Sequence, residues 1–361
     1  MTSASPQPVE VPQRVNSLLA EAVRRRASDI HVEPTAAGCE IRYRIDGLLS
    51  TLDKVDAETG RAMVGRLMVM AHLLTYRLDV PQEGRARFTT VAGQVLDLRL
   101  AIMPTTHGLR AAVRMPAELV QPGTLEELHL PIGVFQGLKR FAVADSGMLI
   151  FTGPAGSGKT TTIYSLLRYI VESNPGLSVI TLEDPVERDI PGVTQIEVKP
   201  FGELTYERVL RSILRQDPQV LMLGEIRDGA TASLAVQATL SGHRLLCTLH
   251  ASDAAGAIAR LLEMGIEPYQ ITSALYAIVS QRLLRRKSGA GYQGRVPVAE
   301  FVAIVQALHP AILGRADADT LRSIYEKQNG YWAMRDVAQE LVVSGITDGV
   351  EVSRVLGEHK R

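Results

Sequence analysis

Apolar and polar positions repeat with two different periods in the first third of the chain. Over residues 12–27 apolar side chains return every three or four positions, which predicts an amphipathic helix, and residues 57–76 repeat that spacing. Over residues 40–52 and 87–103 apolar positions alternate with polar ones around turn dipeptides such as Asp46-Gly47, which predicts two β-hairpins. Helices mixed with hairpins indicate an α+β domain.

The pattern changes after residue 131, where strand-like and helical segments alternate. Short apolar runs predict strands at residues 147–153, 177–182, 219–224 and 244–249, with helices between them at 160–173, 206–215 and 230–241. This alternation predicts an α/β fold, a mostly parallel sheet with helices on both faces. From residue 271 onward we expect mainly helix. The predicted organisation is a tail, an α+β domain, a linker and an α/β domain with a helical C-terminal part, at residues 1–12, 13–118, 119–131 and 132–361.

Composition limits the class of protein. A length of 361 residues suits two domains, and 46% hydrophobic with 22% charged residues excludes disorder as the main state. The 39 Lys and Arg residues balance 39 Asp and Glu residues, so no nucleic-acid partner is expected. Cys39 and Cys247 are too few for a disulfide framework and are expected to be core thiols in a reducing compartment. No apolar stretch is long enough to span a membrane, and no signal peptide is recognisable.

A phosphate-loop pattern, GxxxxGK[ST], lies at Gly153-Pro-Ala-Gly-Ser-Gly-Lys-Thr160. It follows an apolar strand and opens a helix, so the backbone N–H groups and the helix N-terminus converge on phosphate oxygens. Lys159 is predicted to reach the β and γ phosphates of ATP, and Thr160 to ligate Mg²⁺. The positions assigned to nucleotide binding are Gly153, Gly156, Ser157, Gly158, Lys159, Thr160 and Thr161.

Three other predicted strands end in ionisable side chains. Because ligands bind at the carboxyl ends of parallel strands, we expect these side chains near the phosphate loop. Glu225 is the candidate carboxylate beside Mg²⁺, although Gly224 replaces an acid that is common there. Glu183 or Asp184 is predicted to orient or deprotonate the attacking water. His250 is predicted to hydrogen-bond the γ-phosphate or a catalytic acid.

Several ordered segments together resemble the secretion ATPases that power type II secretion and type IV pilus assembly. The resemblance covers nearly the whole chain from about residue 15. Besides the phosphate loop, it rests on the segments Ala27-Ser-Asp-Ile-His-Val-Glu-Pro34, Tyr43-Arg-Ile-Asp-Gly47, Pro81-Gln-Glu-Gly-Arg85, Ile180-Thr-Leu-Glu-Asp-Pro-Val-Glu187, Leu210-Arg-Ser-Ile-Leu-Arg-Gln-Asp-Pro-Gln-Val-Leu-Met-Leu-Gly-Glu-Ile-Arg-Asp228 and Ser241-Gly-His-Arg-Leu-Leu-Cys-Thr-Leu-His-Ala-Ser-Asp253.

The resemblance implies a RecA-like ATPase domain preceded by a smaller PAS-like domain, in a homo-hexamer that uses ATP and Mg²⁺. It implies that Glu183 is the catalytic carboxylate, Glu225 the Walker B acid and His250 the histidine-box residue. Arginines of the first domain are expected to reach the triphosphate, with Arg99, Arg110 and Arg114 as candidates. It also implies a cytoplasmic location at the inner membrane, through a platform protein of that membrane.

Two departures from the family pattern leave alternatives open. Residues 285–294 lack the cysteines that often hold zinc in this family, so no zinc site is expected. The extra N-terminal docking domain of many members is not found, which leaves the docking partner open. A pilus retraction motor and a low-turnover nucleotide-binding scaffold are the alternatives to an assembly motor. A small-molecule kinase and a nucleic-acid translocase are disfavoured.

Overall fold

A computed structural model describes residues 10–116, 123–198, 204–289 and 291–358. The chain divides into two compact units, Met1–Gln121 and Pro122–Arg361. Residues 1–9 of the predicted tail and residues 117–122, at the predicted boundary of the first domain and the linker, lie outside the described residues. The described residues of these segments include the first turn of a helix and a 3₁₀ turn at Glu126–Leu128. The exact domain limits stay predictions.

Unit 1 is a six-stranded antiparallel sheet with two helices packed on one face. The sheet has the order β3-β2-β1-β6-β5-β4, so the two predicted hairpins are joined through β1 and β6, which the sequence analysis did not predict. The elements are α1 (Glu10–Arg24), β1 (Asp29–Thr35), β2 (Gly38–Ile45), β3 (Leu48–Val55), α2 (Ala57–Met70), β4 (Gln82–Thr89), β5 (Val95–Thr105) and β6 (Gly108–Arg114).

The helical faces of unit 1 follow the apolar spacing of the sequence. Leu19 of α1 and Leu67 of α2 are fully buried against the inward side chains of the sheet. The Asp56 side chain caps α2 by accepting a hydrogen bond from the Thr59 N–H at 2.8 Å. Along β5 buried and exposed residues alternate strictly, so its arginine and aspartate stand on the face opposite the helices.

Unit 2 is an α/β unit built on a seven-stranded sheet. The sheet order is β13-β12-β7-β11-β10-β8-β9, parallel except for the β12–β13 pair, which confirms the predicted fold class. Its elements as far as α8 are α3 (Ile132–Ala142), β7 (Gly147–Thr152), α4 (Lys159–Ser173), β8 (Val179–Glu183), β9 (Thr194–Glu197), α5 (Tyr206–Ile213), β10 (Val220–Leu223), α6 (Gly229–Leu240), β11 (Arg244–Leu249), α7 (Ala254–Glu263) and α8 (Pro268–Ala274).

The prediction of mainly helix after residue 271 is wrong for the first part of that segment. β12 (Leu275–Ser288) and β13 (Gly291–Ala303) form a long antiparallel pair, and β12 also lies parallel to β7. Residues 277–281 are all buried, because a strand covered on both faces does not alternate. Periodicity alone cannot distinguish such a run from a buried helix. Four helices follow: α9 (His309–Leu313), α10 (Ala318–Tyr325), α11 (Met334–Val343) and α12 (Gly349–Leu356).

The central strands of unit 2 are buried on both faces. Along β7, Met148 and Ile150 face one apolar cluster, whereas Leu149 and Phe151 face another. Cys247 of β11 is buried in the first of these clusters, and Cys39 lies in the core of unit 1. Burial raises the pKa of both thiols, which confirms the expectation that they are core residues. Among the described residues, no helix is long and apolar enough to cross a bilayer.

Candidate functional site

The phosphate-loop sequence forms a tight turn between β7 and α4. Gly153 and Gly158 have φ angles of +140° and +88°, values that side-chain-bearing residues rarely adopt. A Cβ atom at Gly153 would lie 2.5 Å from the Gln281 carbonyl oxygen, and one at Gly158 would lie 2.8 Å from Gln281 Nε2. These two glycines are therefore required both by backbone conformation and by the close approach of β12.

Lys159 begins α4 and its ammonium lies over the loop. Its Nζ donates to the carbonyl oxygens of Gly153 at 2.7 Å and Pro154 at 3.0 Å. Burial lowers the pKa of Lys159, while the nearby Glu225 carboxylate opposes that shift and Arg282 adds to it. A lysine at the N-terminus of a 15-residue helix makes this end of β7 suited to an anion.

Glu225, which follows β10, is held by two cationic or protonatable side chains. Its Oε1 lies 2.6 Å from His250 Nε2, and its Oε2 accepts a hydrogen bond from Arg227 Nε at 2.6 Å. Since an ionised carboxylate only accepts, His250 Nε2 carries the proton of this contact. Arg227 Nη1 also lies 3.7 Å from Asp184 Oδ2. Side chains after β8, β10 and β11 thus meet at the carboxyl edge of the sheet.

A steric constraint explains the glycine at position 224. A Cβ there would lie 2.9 Å from the Tyr206 hydroxyl and 3.3 Å from the Leu182 carbonyl oxygen. A side chain at this position would crowd the Leu182 carbonyl oxygen and would require the Tyr206 hydroxyl to shift. Glu225, one residue later, is the candidate carboxylate of this strand end.

Glu183 is buried, with 3% of its surface exposed, and its carboxylate is enclosed by donors. It accepts hydrogen bonds from the Tyr164 hydroxyl, from the Thr181 hydroxyl and from Gln195 Nε2 at 3.1 Å. Burial and the Glu183 carboxylate raise the pKa of Tyr164. Because Tyr164 belongs to α4, this network ties the end of β8 to the phosphate-loop helix.

An exposed acid of the same segment is linked to that network. The Glu187 N–H donates to the Tyr164 hydroxyl at 3.2 Å, and Glu187 itself is exposed. The sequence analysis did not consider Glu187, although it stands in the same acidic segment as Glu183. Of the two acids, Glu187 is the exposed residue and Glu183 the buried one.

The three candidate arginines of unit 1 lie on the sheet face opposite its helices. Arg99 and Arg114 are direct cross-strand neighbours on β5 and β6, and Arg85 of β4 stands opposite Arg99. Arg114 Nε lies 3.3 Å from Asp29 Oδ1. Within the described part of the chain, Arg85 and Arg99 make no side-chain ion pair. Like charges placed side by side are unfavourable, so this row of three arginines favours an anionic ligand.

Arg110 is held differently from the other arginines of unit 1. Its Nη2 donates to His31 Nδ1 at 2.8 Å, and its Nε lies 3.5 Å from Glu33 Oε1. The guanidinium is therefore oriented by its own sheet. The sequence pattern does not single out Arg85, because its place in the row is evident only from the strand register. It does not single out Gln281 either, because that segment is predicted to be helical.

The residues of the phosphate loop suit the phosphates of a nucleotide. The Glu225 carboxylate suits a metal ion that is also bound by phosphate oxygens. The buried Ser157 hydroxyl has no partner among the described residues, and a Cβ at Gly156 would meet no atom within 4 Å. In those same residues no group of three or more His, Cys, Asp or Glu side chains is arranged to hold a metal ion. A site with one or two protein ligands and phosphate oxygens is typical of Mg²⁺.

Comparisons with known proteins show the family to which the chain belongs. A family described as "Type II/IV secretion system protein" matches residues 4–354. The type II secretion system protein HxcR of Pseudomonas aeruginosa is 37% identical, covering 94% of this chain and 76% of that protein. The type IV pilus assembly ATPase PilB of Thermus thermophilus is 34% identical, covering 96% and 44% respectively. Among solved structures, the pilus retraction motor PilT with bound ADP aligns with a TM-score of 0.65 at 25% identity, covering 94% of this chain and 96% of that one.

Proposed function

Since the chain belongs to the family of type II/IV secretion system proteins, we propose that it is the motor subunit that drives pseudopilus or pilus assembly. The chain is an ATP-hydrolysing enzyme, as its family and its ATPase relatives indicate. The proposed motor is a homo-hexamer in which hydrolysis moves one unit of each chain against the other.

One observation carries the proposal: the phosphate loop and the Glu225 cluster share the carboxyl edge of one sheet. Lys159 and Glu225 are close enough to influence each other electrostatically, and Glu225 is fixed by Arg227 and His250. A phosphate-binding loop beside an oriented carboxylate is what phosphoryl transfer to water requires.

The proposed binding roles follow from the chemistry of each group. The N–H groups of the loop and Lys159 bind the phosphates, and the Thr160 hydroxyl and the Glu225 carboxylate are the side chains that would hold Mg²⁺. When bound, Mg²⁺ neutralises charge on the phosphate oxygens. His250 and Arg227 keep the Glu225 carboxylate in one orientation.

Two carboxylates of the segment after β8 compete for the role of orienting the attacking water. Glu183 is the proposed catalytic acid, but its oxygens already accept bonds from Tyr164, Thr181 and Gln195. Glu187 is exposed and joined to the same network through Tyr164. A direct comparison of Glu183→Gln with Glu187→Gln identifies the group that acts on water and the group that supports it.

The arginine row of unit 1 supports a second part of the proposal. We assign to Arg99 and Arg114, and to Arg110 beside them, the stabilisation of charge on the triphosphate. We also propose that the hexamer works at the inner membrane through a platform protein of the secretion or pilus system, without crossing the bilayer itself.

A retraction motor is the second candidate function, favoured by the likeness to the retraction motor PilT. Both functions use the same hydrolysis site, and they differ in the direction of force. Deleting the gene and counting surface fibres distinguishes them: bald cells indicate assembly, and hyperpiliated cells indicate retraction.

The proposal is tested by Mg²⁺-dependent ATP turnover at concentrations where light scattering shows the oligomer. Lys159→Ala removes a charge that contacts the phosphates, so we expect turnover to fall by a factor of at least ~100 while the melting temperature changes little. Unchanged turnover in Lys159→Ala would rule out hydrolysis at this loop. ATP binding without turnover in the wild-type oligomer would favour the alternative of a low-turnover nucleotide-binding scaffold.

The paired acid variants refine that result. Glu183→Gln is expected to lower kcat by a factor of about 100, with Glu187→Gln as the matched variant on the exposed side of the network. If only Glu187→Gln abolishes turnover and Glu183→Gln mainly lowers the melting temperature, the catalytic role belongs to Glu187 and Glu183 is its support.

A further inference from the structure

A glutamine of the neighbouring strand lies against the phosphate loop. β12 pairs with β7 so that Ser280 stands opposite Thr152, which places Gln281 beside Gly153, where the loop begins. Gln281 is buried, with 1% of its surface exposed. Because buried polar groups are almost always hydrogen-bonded, both the oxygen and the nitrogen of this side-chain amide need partners.

Both ends of the Gln281 side chain are bonded to the segment that carries the loop. Its Nε2 donates to the Ser157 carbonyl oxygen at 2.9 Å, and its Oε1 accepts from the Thr162 hydroxyl at 3.0 Å. A carbonyl oxygen cannot donate, so the amide nitrogen must be the atom that faces Ser157. The orientation of the side-chain amide is thereby fixed.

The bond to Ser157 determines where the next N–H points. In a trans peptide the C=O of one residue and the N–H of the following residue point in opposite directions. With the Ser157 carbonyl directed at Gln281, the Gly158 N–H is directed away from Gln281. That N–H has no protein acceptor within the described part of the chain.

The backbone of Gln281 holds the other end of the loop. Its carbonyl oxygen leaves no room for a Cβ at Gly153 and accepts a hydrogen bond from Arg282 Nη1 at 2.9 Å. Arg282 Nη2 also donates to the Ser252 carbonyl oxygen at 2.9 Å, two residues after His250. A single strand position thus contacts the start of the loop, its Ser157-Gly158 peptide and the first turn of α4.

We propose that Gln281 is a positioning residue for nucleotide binding, which turns the Ser157-Gly158 peptide so that the Gly158 N–H donates to a phosphate oxygen. This inference rests on the proposed function of the loop. Without the amide donor, the Ser157 carbonyl loses its buried partner and the peptide is free to rotate. The Gly158 N–H is then no longer fixed toward the phosphate.

The test compares two single-site variants that each break one of the two amide hydrogen bonds. Gln281→Glu keeps an acceptor for Thr162 but presents a carboxylate to the Ser157 carbonyl. Thr162→Val removes only the other bond. We expect the Kd of ADP, measured by calorimetry on the full chain, to rise roughly ten-fold or more in Gln281→Glu. In Thr162→Val it should stay within about a factor of two.

Two further readouts separate positioning from simple support of the fold. In Gln281→Glu the KM for ATP is expected to rise more than kcat falls, although the melting temperature should also fall because this variant buries a carboxylate. Gln281→Met, which is uncharged and of similar size, should reproduce the loss of ADP affinity, because it also lacks the donor.

The outcomes distinguish this inference from the proposed function itself. If wild-type protein binds no ADP or ATP, the proposed function fails. If wild-type protein binds ADP and both Gln281 variants bind it equally well, the positioning role of Gln281 is overturned while the function stands. Equal losses of affinity in Gln281→Glu and Thr162→Val would also overturn it, because the bond to Ser157 would then have no special effect.

Discussion

At the scale of single residues, the carboxylate of Glu225 is oriented by two neighbouring side chains. Arg227 and His250 each approach one of its oxygens at 2.6 Å, which leaves it one orientation. The hydrogen bond to Glu225 raises the pKa of Arg227, so this guanidinium stays charged at any physiological pH.

We expect Arg227→Ala to lower kcat by a factor of about 10–100, because partners that orient a metal-side carboxylate typically contribute that much. ADP affinity measured without Mg²⁺ should change little, since among the described residues no hydrogen bond or ion pair joins Arg227 to the phosphate loop. Steady-state kinetics and calorimetry measure the two effects separately. An equal loss of ADP affinity without Mg²⁺ would contradict the assigned role.

The sequence predicts which edge of the sheet Glu225, His250 and Glu183 reach, but not how deeply each side chain is buried. Glu225 and His250 were found because apolar strands end at them, and strand ends share one edge of a parallel sheet. The enclosure of Glu183 was not predictable, since it depends on Tyr164 and Gln195 from other elements. Sequence pattern indicates which edge a side chain reaches, whereas burial depends on contacts distant in the chain.

At the scale of elements, a buried carboxylate fastens α12 to the β12–β13 pair. The fully buried Glu351 binds the Arg285 backbone N–H at 2.9 Å and its guanidinium at 2.7 Å, and it also pairs with Arg354 of α12. The Arg285 guanidinium lies 3.9 Å from the centre of the Tyr292 ring. β12 thus contacts the phosphate loop at one position and the last helix at another, four residues later.

Removing the charge of Glu351 should destabilise unit 2 markedly. Glu351→Gln leaves the mostly buried Arg285 guanidinium and the more exposed Arg354 guanidinium without their counter-ion, so we expect the free energy of unfolding to fall by about 2 kcal/mol or more. Glu172→Gln, at the exposed ion pair with Arg168, is the matched control and should cost at most about 1 kcal/mol. Urea unfolding at pH 7 measures both changes.

The pH dependence of that difference provides a second check. Burial pushes the pKa of Glu351 upward, but hydrogen bonds from Arg354 and Arg285 outweigh burial and lower it to about 2, from 4.5. A carboxyl whose pKa is lower in the folded chain stabilises it above the unfolded pKa and loses that effect as pH falls. The gap between wild type and Glu351→Gln should therefore narrow from pH 5 toward pH 2, and a constant gap would contradict this account.

β12, which the sequence pattern predicts to be helical, contacts both the phosphate loop and Glu351. The alternating hairpins of unit 1 were predicted because one face of that sheet is packed and the other is polar. β12 is buried on both faces from Ala277 to Gln281, so its pattern contains no period of two. As a result, the Gln281 contact with the phosphate loop could not be predicted from sequence, although the loop itself was.

At the scale of the whole molecule, the proposed hexamer makes a testable claim about which chain supplies the arginine. Arg99→Ala keeps an intact phosphate loop, and Lys159→Ala keeps an intact Arg99. If the arginine acts across the interface between subunits, mixing the two inactive proteins should restore turnover to as much as about a quarter of wild type with random assortment. The absence of any restoration in mixed oligomers would mean that each chain uses its own arginine.

Alkylation of the two buried cysteines can report separately on the opening of each unit. Only a thiolate reacts with an alkylating reagent, and both thiols are buried with raised pKa values. Cys39 belongs to one unit and Cys247 to a central strand of the other. The rate at which each is alkylated in the unaltered protein therefore reports how often its own unit opens. Mass spectrometry of the peptides that contain Cys39 and Cys247 measures both alkylation rates, and hence the opening of both units, in one sample.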